Sequence, residues 1–118
     1  MPELIHFSDP LPVPVEDRPS AERCIGIAPL RTTWSRYESG AMDCGEWACE
    51  PGAWKIAFHE EHHEFFHVLA GRLRIHDETG VFREFGPGDA GVIPAGFTGI
   101  FEVIEPVRKR YVMIDGQV

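Results

Sequence analysis

The chain of 118 residues sets 11 basic against 19 acidic side chains, a formal net charge of −8 with histidine neutral. A field of that sign repels nucleic-acid phosphates and anionic lipid, which argues against both as partners. The composition is 43% apolar and 25% charged, ordinary for one globular core, yet 12 glycines and 10 prolines interrupt the chain too often for a helix bundle and suit many short strands.

Residues 1–22 read as an extended N-terminal arm. Pro10, Pro12, Pro14 and Pro19 each remove a backbone donor and fix φ, so the stretch forms neither helix nor central strand. It is either a loose tail or an arm laid along a partner subunit. No apolar run reaches the ~18 residues of a spanning helix, and Met1 to His6 lacks a basic region followed by an apolar stretch. A cytoplasmic protein is the expectation. Cys24, Cys44 and Cys49 cannot all pair within one chain, so reduced thiols are expected as well.

From residue 23 to 118 the pattern is that of one β domain. Short apolar segments bounded by turn residues cover 24–27, 31–37, 44–49 and 53–58 in the first half of the domain. They continue through 73–76, 81–85, 90–93, 97–104 and 110–114. Alternation assigns faces: Trp54, Ile56 and Phe58 lie opposite Lys55, Ala57 and His59. Phe97, Gly99, Phe101 and Val103 share another face, and Asp77-Glu78-Thr79-Gly80 makes a hairpin turn. Residues 57–71 have local helix formers and a glycine stop, and His59-Glu60-Glu61-His62-His63 spells H-E-x-x-H. The sequence after His63 lacks the third ligand and the glycine of the longer metalloprotease signature, and a zinc protease is set aside.

The stretch Glu64-Phe65-Phe66-His67-Val68-Leu69-Ala70-Gly71, followed by Gly86-Pro87-Gly88-Asp89 and Pro94-Ala95-Gly96, resembles the two consecutive motifs of the cupins. Gly45 to Trp54 and Glu105 to Tyr111 are similar to the small single-domain cupins described as ureidoglycine-aminohydrolase-like or ethanolamine-utilisation-like. The resemblance implies an all-β cupin barrel, a double-stranded β-helix of jelly-roll type, with residues 57–71 as strand, bend and strand. A homodimer is expected, because a small barrel leaves sheet edges and outer apolar residues such as Phe65 and Leu69 uncovered and the proline-rich arm suits packing across a partner; the resemblance points the same way.

Metal-dependent cupins, by the same resemblance, use two histidines separated by one residue, then a glutamate, and a histidine from the second motif. Glu64 matches the glutamate, and Gly99 stands where the second-motif histidine would be. The histidine pair falls on Ala57 and His59 or on Phe58 and Glu60, and the bulkier face of the strand favours the second register, which holds no histidine. No metal is therefore expected; were one held, His59, His62 and Glu64 would be its ligands.

The pocket expected from these faces comprises Trp54, Phe58, Glu60, Glu64, Phe66 and Phe101, with Trp47 in core or rim. Glu64 is its polar anchor and the candidate catalytic group, because two carboxylates brought together in an apolar cavity suit general acid–base work. The alternative is a structural pair between Glu64 and Arg108 or Tyr111. The leading functional expectation is a small-molecule-binding cupin with a degenerate metal site. A metal-dependent cupin enzyme acting on a small amino or carboxylate compound, and an accessory dimer with a vestigial pocket, are the alternatives.

Overall fold

The structure, a computed structural model, describes residues 2–116. Nine strands and no helix occur among them: β1 (Val15–Asp17), β2 (Cys24–Ile25), β3 (Arg31–Ser39), β4 (Met42–Cys49), β5 (Gly52–Ala57), β6 (His62–Asp77), β7 (Phe82–Phe85), β8 (Ala90–Ile93) and β9 (Thr98–Asp115). All pairings are antiparallel, and two long strands carry the architecture. β6 and β9 run side by side from His62↔Asp115 to Asp77↔Gly99, and both bend midway. The first half of β6 and the second half of β9 lie in one layer with β8, β4, β3 and β1. Their other halves lie in a second layer with β7, β5 and β2. Strands that pass from one layer to the other through a bulged corner are what closes such a sandwich into a barrel.

The corner has a local cause. Register shifts fall between Val68 and Leu73 of β6. Gly71 has φ +84°, and a Cβ there would strike the Pro106 carbonyl of β9. Only glycine meets both demands. Pro106 lies in neither ladder: β4 pairs with β9 up to Val107 and β5 from Val103 backwards, so its missing N–H costs no sheet bond. The barrel, the turn at Asp77–Gly80 and the strand–bend–strand form of residues 57–71 agree with the sequence. Two boundaries do not: 97–104 and 110–114 are one strand, and 73–76 is the end of a strand that begins at His62. Local propensity for helix over 57–71 yields to the ladders that β8 and β9 form along both edges of β6.

The core is the space between the layers. Phe66, Val68, Leu73 and Tyr111 are wholly buried there, with Phe101, Val103 and Val107 around them. The arm lies along its own barrel at two places. β1 pairs with β3, Arg36 donates to the Asp9 carbonyl at 2.9 Å, and Phe7 lies 5.2 Å beneath the Arg36 guanidinium. Under that arm Glu46 is buried and accepts hydrogen bonds from Arg36 at 2.9 Å and Arg108 at 3.1 Å. Burial pushes the Glu46 carboxyl up, but the two guanidinium groups outweigh it and hold the group below the usual carboxylate range.

Candidate functional site

A cavity of about 370 Å³ lies inside the barrel. Alternation supplies its walls: Trp54, Ile56 and Phe58 from β5 and the loop after it, Asp43 and Trp47 from β4, Glu64 from β6, and Phe101, Lys109 and Tyr111 from β9. Trp47, Trp54 and Phe101 form one aromatic cluster, with ring centroids 5.0 to 6.2 Å apart.

Three polar groupings interrupt this apolar wall. Deepest is an ion pair between Lys109 Nζ and Glu64 Oε2 at 2.6 Å, each residue only 3% exposed. The ammonium is enclosed by rings: Trp47 at 4.5 Å, Phe101 at 4.9 Å and Phe66 at 5.1 Å from Nζ. One N–H is spent on the carboxylate, and the negative ring faces around the ammonium offset part of its lost hydration. Further along the wall, Asp43 Oδ1 accepts from Ser35 Oγ at 2.7 Å and from the Tyr111 hydroxyl at 3.2 Å. Burial raises the Tyr111 phenol well above its ordinary value, with the Asp43 charge acting the same way, so the hydroxyl remains a donor. Nearer solvent, Arg31 grips Asp17 in a two-pronged pair, Nε to Oδ1 at 2.9 Å and an Nη to Oδ2 at 2.6 Å. Its guanidinium also lies 5.5 Å from the Trp54 ring centroid.

Of the residues expected in the pocket, Trp54, Phe58, Glu64 and Phe101 line the cavity. Phe66 sits behind it, wholly buried against Lys109 and Phe85. Glu60 is a correction. The alternation of β5 stops at Ala57, the chain turns, and Glu60 ends exposed in that turn rather than beside Glu64. The acid–base pair of carboxylates is thereby absent, and the partner of Glu64 is Lys109, not Arg108, which serves Glu46, nor Tyr111, which serves Asp43. Lys109, Asp43, Asp17 and Arg31 were missed. The parity of β9 carried a signal for the first: Val107 and Tyr111 are apolar, and Lys109 shares their face while Arg108 and Arg110 take the other.

The donor set of the cavity does not fit a divalent metal. Phe58 lines the cavity at one histidine position of the favoured register, and Glu60 at the other is outside. Gly99 not only lacks an imidazole but admits no side chain, since a Cβ would collide with the His76 carbonyl oxygen. Of the four cupin ligand positions that leaves Glu64, and the positive charge it faces is an ammonium. Nor does Glu64 join His59 and His62: those two meet Asp115 instead, at the rim beside Phe58.

A barrel of two antiparallel layers joined by bent strands around a small pocket is the architecture of a cupin domain. Residues 36–111, more than half of the chain, match the EutQ-like cupin domain, and the protein belongs to that family. Among solved structures it resembles a protein of unknown function from Pseudomonas syringae pv. tomato assigned to DUF861, with a TM-score of 0.77 and 21% identity over 92% of this chain and 46% of that one. It also resembles the EutQ protein of Clostridium difficile, with a TM-score of 0.66 and 21% identity over 75% of this chain and 65% of that one. A putative ethanolamine utilization protein of Salmonella typhimurium matches at a TM-score of 0.66 and 16% identity, over 89% of this chain and 98% of that one. The chain thus spans less than two thirds of the first two proteins, and at these identities the likeness is one of fold. No curated protein gives a significant match.

Proposed function

We propose that this cupin binds a small organic amine in its barrel, with the aromatic cluster holding the ligand's apolar body. The observation that carries this is the cavity itself: about 370 Å³, within the range of small-molecule sites, walled by Trp47, Trp54, Phe58 and Phe101. Its charge points to the ligand class. Asp17, Asp43 and Glu64 face it against Arg31 and Lys109, so one carboxylate is in excess. Glu64 and Asp17 are already neutralised by cations, whereas the hydrogen bonds to Asp43 come from two hydroxyls. Asp43 is therefore the anchor for an ammonium or amino group, and the Glu64–Lys109 pair forms the polar floor. Among the neighbours, the Salmonella protein is named for ethanolamine utilization, and ethanolamine is a small primary amine. It belongs among the first compounds tried.

A thermal-shift screen of small amines, with carboxylates and sugars as comparison sets, tests the reading. Amines should raise the melting temperature of the native protein and lose that effect in Asp43→Asn and Trp54→Ala. A screen in which carboxylates stabilise and amines do not would contradict it.

The same chain fits a homodimer. β1 is the outer strand of its layer, and Val15 in it and Val13 just before it are 69% and 91% exposed, an apolar edge that a second copy could continue about a twofold axis. Three thiols without a disulfide suit the reducing interior of a cell.

A further inference from the structure

At the rim, the bend after β5 and the end of β9 bring together side chains more than fifty residues apart in the chain. His59 Nε2 and His62 Nδ1 each lie 2.9 Å from the same oxygen, Oδ1 of Asp115. All three donor atoms fall within 4.8 Å of one another. Two imidazole nitrogens and a carboxylate converging on one point form a donor set for a borderline divalent ion such as zinc, nickel or cobalt. Bonds of about 2.0–2.2 Å to such an ion place neighbouring donors roughly 3.0–3.4 Å apart. The two nitrogen–oxygen separations already approach that spacing.

The backbone that carries the ligands is fixed. His62 and Asp115 are a paired position of the β6–β9 ladder. The His62 N–H closes the turn on the His59 carbonyl at 3.1 Å, and the Gly96 N–H binds the same oxygen at 3.1 Å. On the other side, the Asp115 N–H reaches the Ala41 carbonyl at 2.7 Å and the Gly116 N–H the Glu61 carbonyl at 2.8 Å. The His62 ring is further held edge-on against Phe58, with centroids 4.6 Å apart. Only the His59 ring is free to swing, and its sole backbone contact is a long one of 3.3 Å from the Glu61 N–H.

We infer that His59, His62 and Asp115 form a surface site for one divalent transition-metal ion, at the rim of the cavity rather than among its lining residues, that staples the 58–62 bend to the end of β9. Water completes the coordination, since His59 and Asp115 are both exposed. Each imidazole binds through the nitrogen now facing Asp115 and keeps its ring proton on the other nitrogen, so His59 gives up the weak contact with Glu61. The ion would hold the rim beside Phe58, a cavity-lining residue, without touching the cavity.

Zinc chloride titrated into chelator-treated protein, followed by calorimetry, should give one site per chain and a rise in melting temperature. His59→Gln and Asp115→Asn, both at exposed positions, should each weaken binding at least tenfold while folding normally. Glu60→Gln, which removes an adjacent acid outside the donor set, should leave the affinity within about twofold. Cobalt(II) should broaden amide resonances of residues 58–62 and 113–116. No zinc binding, binding unaltered in both ligand variants, or broadening centred on the Trp47 and Trp54 indoles would overturn the assignment.

Discussion

Replacing Lys109 with methionine keeps most of the side chain's length and apolar packing, one atom short of Nζ, but removes the charge that balances Glu64. Both members of the pair are 3% exposed, and the 2.6 Å bond between them is charge-assisted. Breaking such a buried pair costs about 3–5 kcal/mol, because the remaining charge is left without compensation. For a domain of this size that is a fall in melting temperature on the order of 10 °C. The double variant Glu64→Gln/Lys109→Met behaves differently, since removing both charges also removes both desolvation penalties; it should recover most of the loss. Urea denaturation of the wild type, the two single variants and the double variant completes the cycle and should give a coupling of about 2 kcal/mol or more. A Lys109→Met protein within about 1 kcal/mol of wild type, or additive single effects, would refute the assignment of Lys109 as the counter-ion of Glu64.

Gly71→Ala should destabilise by more than about 1 kcal/mol in the same assay, because it forces an L side chain into positive φ and against the Pro106 carbonyl. Burial pushes the Cys49 thiol from 9.0 up to about 12. The folded form therefore keeps its proton where the unfolded thiol loses it, and the stability tied to Cys49 should fade as pH rises from 9 towards 12; at pH 8 the thiol should react with Ellman's reagent only after unfolding. Glu46 has the opposite sign: its lowered carboxyl favours the fold above its ordinary value of 4.5 and loses that contribution as pH drops further, and Glu46→Gln should flatten the acid limb of the stability curve. Light scattering at micromolar concentration should return twice the chain mass; a monomer would remove the proposed role of the β1 edge.

The barrel was legible because inward residues alternate along the unbulged stretches of its strands: Trp54, Ile56 and Phe58, or Phe101 and Val103, need only period two to be assigned. Legibility fails where alternation stops. Glu60 was placed inside by carrying the parity of β5 two residues too far, past a turn closed by the His62 N–H on the His59 carbonyl. Lys109 was missed because a run of three cations, Arg108 to Arg110, looks like a solvated surface until β9 is known to be continuous through Pro106. Its middle member points into the barrel and its neighbours point out. Asp43 and Asp115 depend on partners far along the chain, Tyr111 being 68 residues from the first and His62 53 residues from the second. Nothing local marks them.

If the barrel cavity holds a small amine, the three tryptophans report it within one spectrum. Trp47 and Trp54 line the cavity, whereas Trp34 lies on the outer face beneath Arg108, 4.8 Å from its guanidinium. In a 15N-labelled sample titrated with an amine from the screen, the indole N–H signals of Trp47 and Trp54 should move in a saturable way while that of Trp34 stays in place. Equal shifts at all three, or a shift at Trp34 alone, would contradict the account.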